Sequence, residues 1–398
     1  MPPMTFCTAW AWAAGLLLLI SVTSCSMEPA HLLRGRRQLY QSHEPNDAAE
    51  PQQQQHNVTL MFMASEMGLG ACTLLKSALA NKLEVNIVGW HPKDGNSTTH
   101  AQNRESLLRS VSREFWLRLA QMEPSRLVVG VDGFDDVLSR AATAREFATR
   151  FSYFGTEFVW SGEVNMFPAF RELPPEVQQY YPSYWHNETG VPEAWLGLPK
   201  EVPYPFLNVG GWVGTAGRAA LVMKAVHDLL RCTLHPKAAA AEQPQPAEGA
   251  SPAPENATYC PPHDQAAAQV ALVSDVCRTP GDEGAKCMLD MYGQVFFSGY
   301  RNCEGLIPRI DGYWWNSKSG TTPLTVHYNG MAKGTCFRTG AGEYMQSRRT
   351  GWFNRVDVSP DTPVQVTRAS FHGDGLLETH NHTFGELCPG FKGQGLPW

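Results

Sequence analysis

Two aspartates, Asp132 and Asp135, sit three residues apart in the segment Val131-Asp132-Gly133-Phe134-Asp135-Asp136, directly after the apolar run Arg126 to Val131. A short apolar run ending in spaced carboxylates reads as a buried strand that delivers acids to the rim of a sheet. Two hard oxygen ligands placed this way can hold Mn²⁺ or Mg²⁺ and leave coordination positions for phosphate oxygens. Taken alone the motif is weak, and the same residues read more readily as a solvated acidic turn after a strand.

The elements that would position these acids are legible on both sides. Val58 to Ala64 reads as a strand, Gly68 to Lys82 as a helical stretch, and Leu83 to Trp90 as a second strand. Arg104 to Met122 carries Leu107, Leu108, Val111, Phe115 and Leu119 at helical spacing. Leu127 to Val131 is a third strand, Ala141 to Phe151 a short helix, and Glu157 to Trp160 a fourth strand. Such alternation predicts an α/β fold with a mainly parallel central sheet flanked by helices. Ligands of such sheets bind beyond the carboxyl ends of the strands, where Asp132 and Asp135 fall.

The chain opens with an apolar run from Ala9 to Val22, followed by small residues at Thr23 to Ser26, as a cleavage site requires. The run is short for a membrane span, so residues 1–26 read as a signal peptide. Arg34, Arg36 and Arg37 keep an uncleaved membrane anchor open, and Val22-Thr-Ser-Cys25 also fits a lipoprotein box. Sequons at Asn57, Asn96, Asn187, Asn256 and Asn381 suit the lumen of the endoplasmic reticulum or Golgi, or secretion. Cys7 and Cys25 belong to the leader. Cys72, Cys232, Cys260, Cys277, Cys287, Cys303, Cys336 and Cys388 form an even set, suited to disulfides, and Cys277 with Cys287 would close a short loop.

The net charge of −6 mixes acids and bases, with no basic stripe for nucleic acid. Residues 27–56 read as a flexible polar stem, and 238–257, rich in Ala, Pro, Glu and Gln, as a disordered surface insertion. Motif-bearing segments flank that insertion, so 57–330 reads as one domain, with 331–398 as a disulfide-containing C-terminal extension. Oligomeric state is not legible.

Several segments line up, in order, with one family. They are Leu60-Met-Phe-Met-Ala-Ser-Glu66, Val88-Gly-Trp90, Val131 to Leu138, Trp160-Ser-Gly-Glu163 with Pro168, and Phe206-Leu-Asn-Val-Gly-Gly-Trp-Val-Gly214. His263-Asp-Gln265, Leu289-Asp290 with Val295-Phe-Phe297, and Val326-His-Tyr-Asn-Gly330 follow. Through these the chain resembles the glycosyltransferase domain of the multifunctional lysyl hydroxylases, and more loosely the procollagen galactosyltransferases, from about Asn57 to Gly330. The resemblance implies a GT-A-type nucleotide-sugar-binding fold. It also implies transfer of a hexose from UDP-glucose or UDP-galactose to a hydroxyl on a protein or glycan acceptor.

Residue by residue, the resemblance implies that Asp132, Asp135 and His327 ligate Mn²⁺, and that the metal neutralises the leaving diphosphate. Trp90 would stack on uracil, Ala64 and Ser65 would bring backbone amides to the nucleotide, and Gly210 and Gly211 would permit close backbone approach. Asn208, Asp264 and Gln265 would face the donor sugar or the acceptor. Each has a plainer reading when taken singly. Trp90 is then a strand-end aromatic, Gly210-Gly211 a tight turn, His327 a structural histidine and Asp264 a helix N-terminal acid. Trp160 and Trp212 read as core. Glu163 either holds its loop or touches the donor.

The chain departs from the family's pattern in two places. The acidic run before Gln265 is reduced to His263-Asp264, and Val209 follows Asn208 where the family has Ser. The extension is too short for the hydroxylase domain, although His372-Gly-Asp374 looks like the start of an iron site. The His263 substitution keeps a second expectation open, a non-catalytic lumenal binding domain. A glycan hydrolase built on Asp135 and Glu163 has no supporting pattern.

Overall fold

The computed structural model of the chain describes residues 57–64, 67–90, 104–179, 202–234, 261, 263–278, 286–309, 312–330, 332, 352–369 and 377–391. The leader, stem, insertion and His372-Gly-Asp374 lie outside the described residues. The strands are β1 (Val58–Met63), β2 (Glu84–Val88), β3 (Leu127–Asp132), β4 (Asp136–Leu138), β5 (Phe158–Glu163), β6 (Phe206–Thr215) and β7 (Cys287–Asp290). They continue with β8 (Phe296–Ser298), β9 (Leu306–Pro308), β10 (Trp314–Asn316), β11 (Thr325–His327), β12 (Pro363–Ala369) and β13 (Leu377–Thr383). The helices are α1 (Leu69–Ala80), α2 (Arg104–Ala120), α3 (Ala144–Phe154), α4 (Ala216–Leu234), α5 (Asp264–Val273), α6 (Trp352–Arg355) and α7 (Phe384–Leu387).

The main sheet has eight strands in the order β13-β12-β2-β1-β3-β6-β5-β7. The sheet is mixed, with most of its strands running in one direction, as the alternation of strands and helices implies. The pairs β12–β2, β2–β1, β1–β3 and β5–β7 are parallel, whereas β13–β12, β3–β6 and β6–β5 are antiparallel. Two segments supply the reversed strands, β6 and β13. Gly210-Gly211, which taken singly reads as a tight turn, is part of a ten-residue strand running against both neighbours. The C-terminal extension supplies β12, which docks beside β2, and β13, which follows it.

Both faces of the sheet are covered, so its strands bury side chains on alternate sides. Leu60 and Phe62 enter one core with Leu74, Leu75, Ile87, Val131 and Phe147. Met61 enters the other, with Phe158, Trp160, Trp212 and small residues of α4 and α5. Trp160 and Trp212 are core residues, as their sequence context suggests. Fully burying one such aromatic removes enough apolar surface to contribute roughly 2–3 kcal/mol. α3 shows local control at its ends: Thr143 Oγ1 accepts the Glu146 N–H, and Gly155 takes the left-handed conformation that stops the helix (φ 62°).

Disulfides join Cys277 to Cys287 and Cys72 to Cys388. The second ties α1 to the residue following α7, across 316 residues of sequence. Among the described residues no helix is long and apolar enough to cross a membrane.

Candidate active site

The strand order reverses direction around β1, with β2 on one side and β3 on the other. A crevice forms beyond the carboxyl ends of strands at such a point. Asp132 is the last residue of β3, level with Met63 of β1. The chain then turns tightly over β1. A Cβ at Gly133 would lie 2.1 Å from the Met63 carbonyl oxygen, so no side chain fits there. Phe134 donates its N–H to Asp132 Oδ1 (3.0 Å), which fixes the first carboxylate.

A second, three-stranded sheet of order β4-β11-β8 brings in the histidine. β4 follows the acidic turn at once, and β11 pairs with it so that His327 faces Asp136. Tyr328 N–H to the Asp135 carbonyl (2.8 Å) continues the pairing into the turn. Asp132, Asp135 and His327 therefore converge from residues far apart in sequence. One potential ligand atom from each lies within 4.8 Å of the others, the one such group among the described residues.

β6 completes this wall. Its pairing with β5 jumps from Trp160↔Trp212 to Ser161↔Asn208, so Val209, Gly210 and Gly211 bulge with no partner on β5. The bulge presses on the histidine. A Cβ at Gly210 would sit 2.0 Å from His327 Cε1, and one at Gly211 2.7 Å from the Phe296 ring. The two glycines thus clear space for His327 and Phe296. Asn208 Oδ1 accepts the Gly210 N–H (2.9 Å) and lies 3.0 Å from His327 Nδ1. That contact holds the hydrogen on Nδ1 and turns Nε2 toward the carboxylates, 3.3 Å from Asp135 Oδ1.

The electrostatics suit a cation. Burial by itself would lower the His327 pKa. The carboxylates of Asp136 and Asp135 outweigh it and hold the imidazole up at about 10. Burial pushes Asp136 well above the carboxylate range, with His327 opposing. Asp136 is a residue that spacing did not single out. Its Oδ2 accepts the Asp132 backbone N–H at 2.6 Å, bracing the turn from behind. Phe134, between Asp132 and Asp135 and 38% exposed, is another. An exposed aromatic inside an acidic turn is the signal that could have flagged it.

Behind the histidine lies a buried polar cluster centred on Glu163, the last residue of β5. Gln265 Nε2 donates to Glu163 Oε1 (2.6 Å) and also to the Leu207 carbonyl (2.8 Å). Asn329 Nδ2 donates to Oε2 (3.2 Å). Burial raises the Glu163 pKa to about 7 against hydrogen bonds from Gln265, Asn208 and Asn329. Glu163 therefore ties β5, β6, α5 and the residues after β11 into one unit. Asn329 belongs to the Val326-to-Gly330 segment but was not singled out as a site residue.

The remaining candidates are placed as follows. Asp264 opens α5 and accepts the Gln265 N–H through Oδ1 (2.9 Å), while His263 caps that helix. Gln265 is buried and turned toward Glu163. Ala64 is also buried and donates its N–H to the Val88 carbonyl (3.1 Å), so that amide is committed to the sheet and not open to a nucleotide. Ser65 lies outside the described residues. Trp90 follows Gly89, whose positive φ (80°) breaks the strand alternation, and its ring meets His382 edge-on at 5.1 Å.

No protein-family model matches the chain, and none of the curated proteins compared does. Solved structures give distant likenesses. A glycosyltransferase involved in the glycosylation of the major capsid of PBCV-1 is 13% identical over 71% of this chain and 98% of its own, with a TM-score of 0.35. Mannosyl-3-phosphoglycerate synthase from Rubrobacter xylanophilus is 10% identical over 90% and 89%, at 0.29. Glucosyl-3-phosphoglycerate synthase from Mycobacterium tuberculosis, in complex with Mn²⁺, UDP-glucose and phosphoglyceric acid, is 12% identical over 46% and 66%, at 0.22. At such scores none of these likenesses bears on the chemistry, which is read from the site's own residues.

Proposed function

We propose that the chain is a metal-dependent glycosyltransferase of GT-A type that moves glucose or galactose from a UDP-sugar to a hydroxyl acceptor. The observation that carries this reading is the convergence of Asp132, Asp135 and His327 at the end of β3. Two carboxylates and one imidazole suit Mn²⁺ better than Ca²⁺. A bound Mn²⁺ would neutralise the diphosphate as it leaves. The chain's own residues do the rest. Asn208 orients the imidazole, Asp136 braces the turn, and Glu163 with Gln265 and Asn329 holds the two sheets in register. Asp264, at the start of α5, would meet the reacting sugar or the acceptor.

Residence in the secretory lumen or outside the cell belongs to the same proposal. The Cys72–Cys388 and Cys277–Cys287 disulfides, and sequons whose Asn57 and Asn381 are both exposed, support it. The organisation into leader, stem, transferase domain and extension is part of the same proposal, with β12 and β13 integral to the sheet.

Calorimetry of UDP with and without Mn²⁺, and hydrolysis of a panel of UDP-sugars, test the reading. Asp135→Asn removes charge where a dication faces a diphosphate, and should abolish Mn²⁺-dependent UDP binding in a folded protein. Unchanged UDP affinity at saturating Mn²⁺ would sink the assignment. A non-catalytic binding domain is the second reading, favoured by His263 in place of an acid. UDP binding without donor turnover would support it.

A further inference from the structure

We propose that Asn381 carries an N-linked glycan that guards the open edge of the main sheet. This rests on the lumenal residence proposed above. β13 is the last strand of that sheet, and among the described residues no strand pairs with its outer side. An open edge presents unpaired N–H and C=O groups to any extended chain, and proteins blunt it with short strands, Lys or Pro, bulges or a cover. The opposite edge follows this rule, since β7 has four residues and its first, Cys287, is bridged to Cys277. β13 does not. It has seven residues, Leu377 to Thr383, and all seven pair with β12 in one unbroken register. It holds no Lys, Arg, Pro or Gly, and its charged residue, Glu378, lies 3.2 Å from His380 Nε2.

Within this strand stands Asn381-His382-Thr383, an acceptor sequence for N-glycosylation. Asn381 is exposed, although Arg118 of α2 reaches Gln365, its partner on β12. In the folded protein Thr383 Oγ1 accepts the Glu386 N–H (3.3 Å) and Asn381 is held in the ladder, so the transfer precedes folding. The donor is a lipid diphosphate-linked oligosaccharide. Asn381 Nδ2 bonds to its anomeric carbon, the bond from that carbon to the lipid diphosphate breaks, and one amide proton is released. A partner strand must come within about 4.8 Å of β13, with facing Cβ atoms about 4.5–5.5 Å apart. A branched oligosaccharide on Asn381 does not fit in that gap, so a second copy cannot add its own β13 to this edge. Asn57, the other exposed sequon asparagine, precedes β1, which is already paired with β2 and β3, so a glycan there guards no edge.

The full chain, expressed with its own leader in cultured animal cells, tests this. Glycopeptide mass spectrometry should find Asn381 occupied. Asn381→Gln should tighten self-association at least about tenfold in sedimentation velocity, with the β13 amides gaining protection from hydrogen exchange. Asn381→Lys also loses the glycan but puts a charge at the same outward position, and should self-associate no more than the wild type. Asn57→Gln is the control and should leave association unchanged. Asn381 left bare in a chain glycosylated elsewhere overturns the proposal and spares lumenal residence. So does Asn381→Gln that associates no more tightly than the wild type, or that associates without protecting β13. A chain with no glycan at any sequon overturns lumenal residence itself, and this proposal with it.

Discussion

Gly210→Ala adds one methyl group at the point where the β6 bulge meets His327, the proposed metal ligand. The new Cβ would stand 2.0 Å from His327 Cε1 and 2.4 Å from Nδ1. Ordinary carbon contacts need about 3.5 Å, so ring and bulge must part by roughly 1.5 Å. The bulge has little room to yield, because Gly211 pairs with Val131 on β3 and Asn208 holds the Gly210 N–H. The imidazole must move instead. Metal–ligand distances tolerate only about 0.2 Å, so the displacement removes His327 from the coordination shell. Disturbing even the outer partners of a metal ligand costs about 10–100-fold in affinity, and Mn²⁺ affinity should fall by at least that. Overpacking should also cost about 1–3 kcal/mol in stability. Gly211→Ala is the control. Its Cβ meets the Phe296 ring at 2.7 Å, so it should lose comparable stability and keep its Mn²⁺ affinity. Titration calorimetry with Mn²⁺ alone, beside thermal melts, separates the two variants. Equal Mn²⁺ affinity in Gly210→Ala and wild type would refute the seating of His327 against the bulge.

Glu163 should make stability pH-dependent. Its folded pKa of about 7 lies above the ordinary 4.5, so its contribution is whole below about pH 4.5 and is lost as pH rises through 7, on the order of 3 kcal/mol in all. Glu163→Gln stays neutral and should flatten that fall in urea titrations at pH 5 and pH 8; parallel curves for mutant and wild type would count against the burial argument. Replacing both Cys72 and Cys388 with Ser frees α1 from the residue after α7 and should cost about 2–5 kcal/mol, read as a lower urea midpoint. Thr143→Ala removes the cap of α3 and should cost about 1 kcal/mol, with Mn²⁺ affinity unaffected in the same preparation.

Local information in the chain determined much of the scaffold. Apolar runs bounded by turn residues marked β1, β2, β3 and β5, and helical spacing marked α2, because period and burial are written in neighbouring residues. Asp132 and Asp135 were legible for the same reason, since both follow one strand within a single turn. The Cys277–Cys287 bridge was legible because it closes a short loop. The His327 contact had no such local signature and was reached only through the order of motifs along the chain. What the tertiary structure decided depends on groups that meet from afar. The bulge in β6 clears space for His327 and Phe296, a steric demand set by β11 and β8 and invisible in Asn208-to-Gly214 itself. The alternating Val364-Gln-Val-Thr-Arg368 run marks a strand in the extension, but only the tertiary structure shows that β12 docks beside β2. Asp136 became the brace of the turn, and Glu163 a carboxyl poised near pH 7, through burial and long-range hydrogen bonds. Residue type supplies the charge in each case, but only packing sets the dielectric and the partners that decide what the charge does.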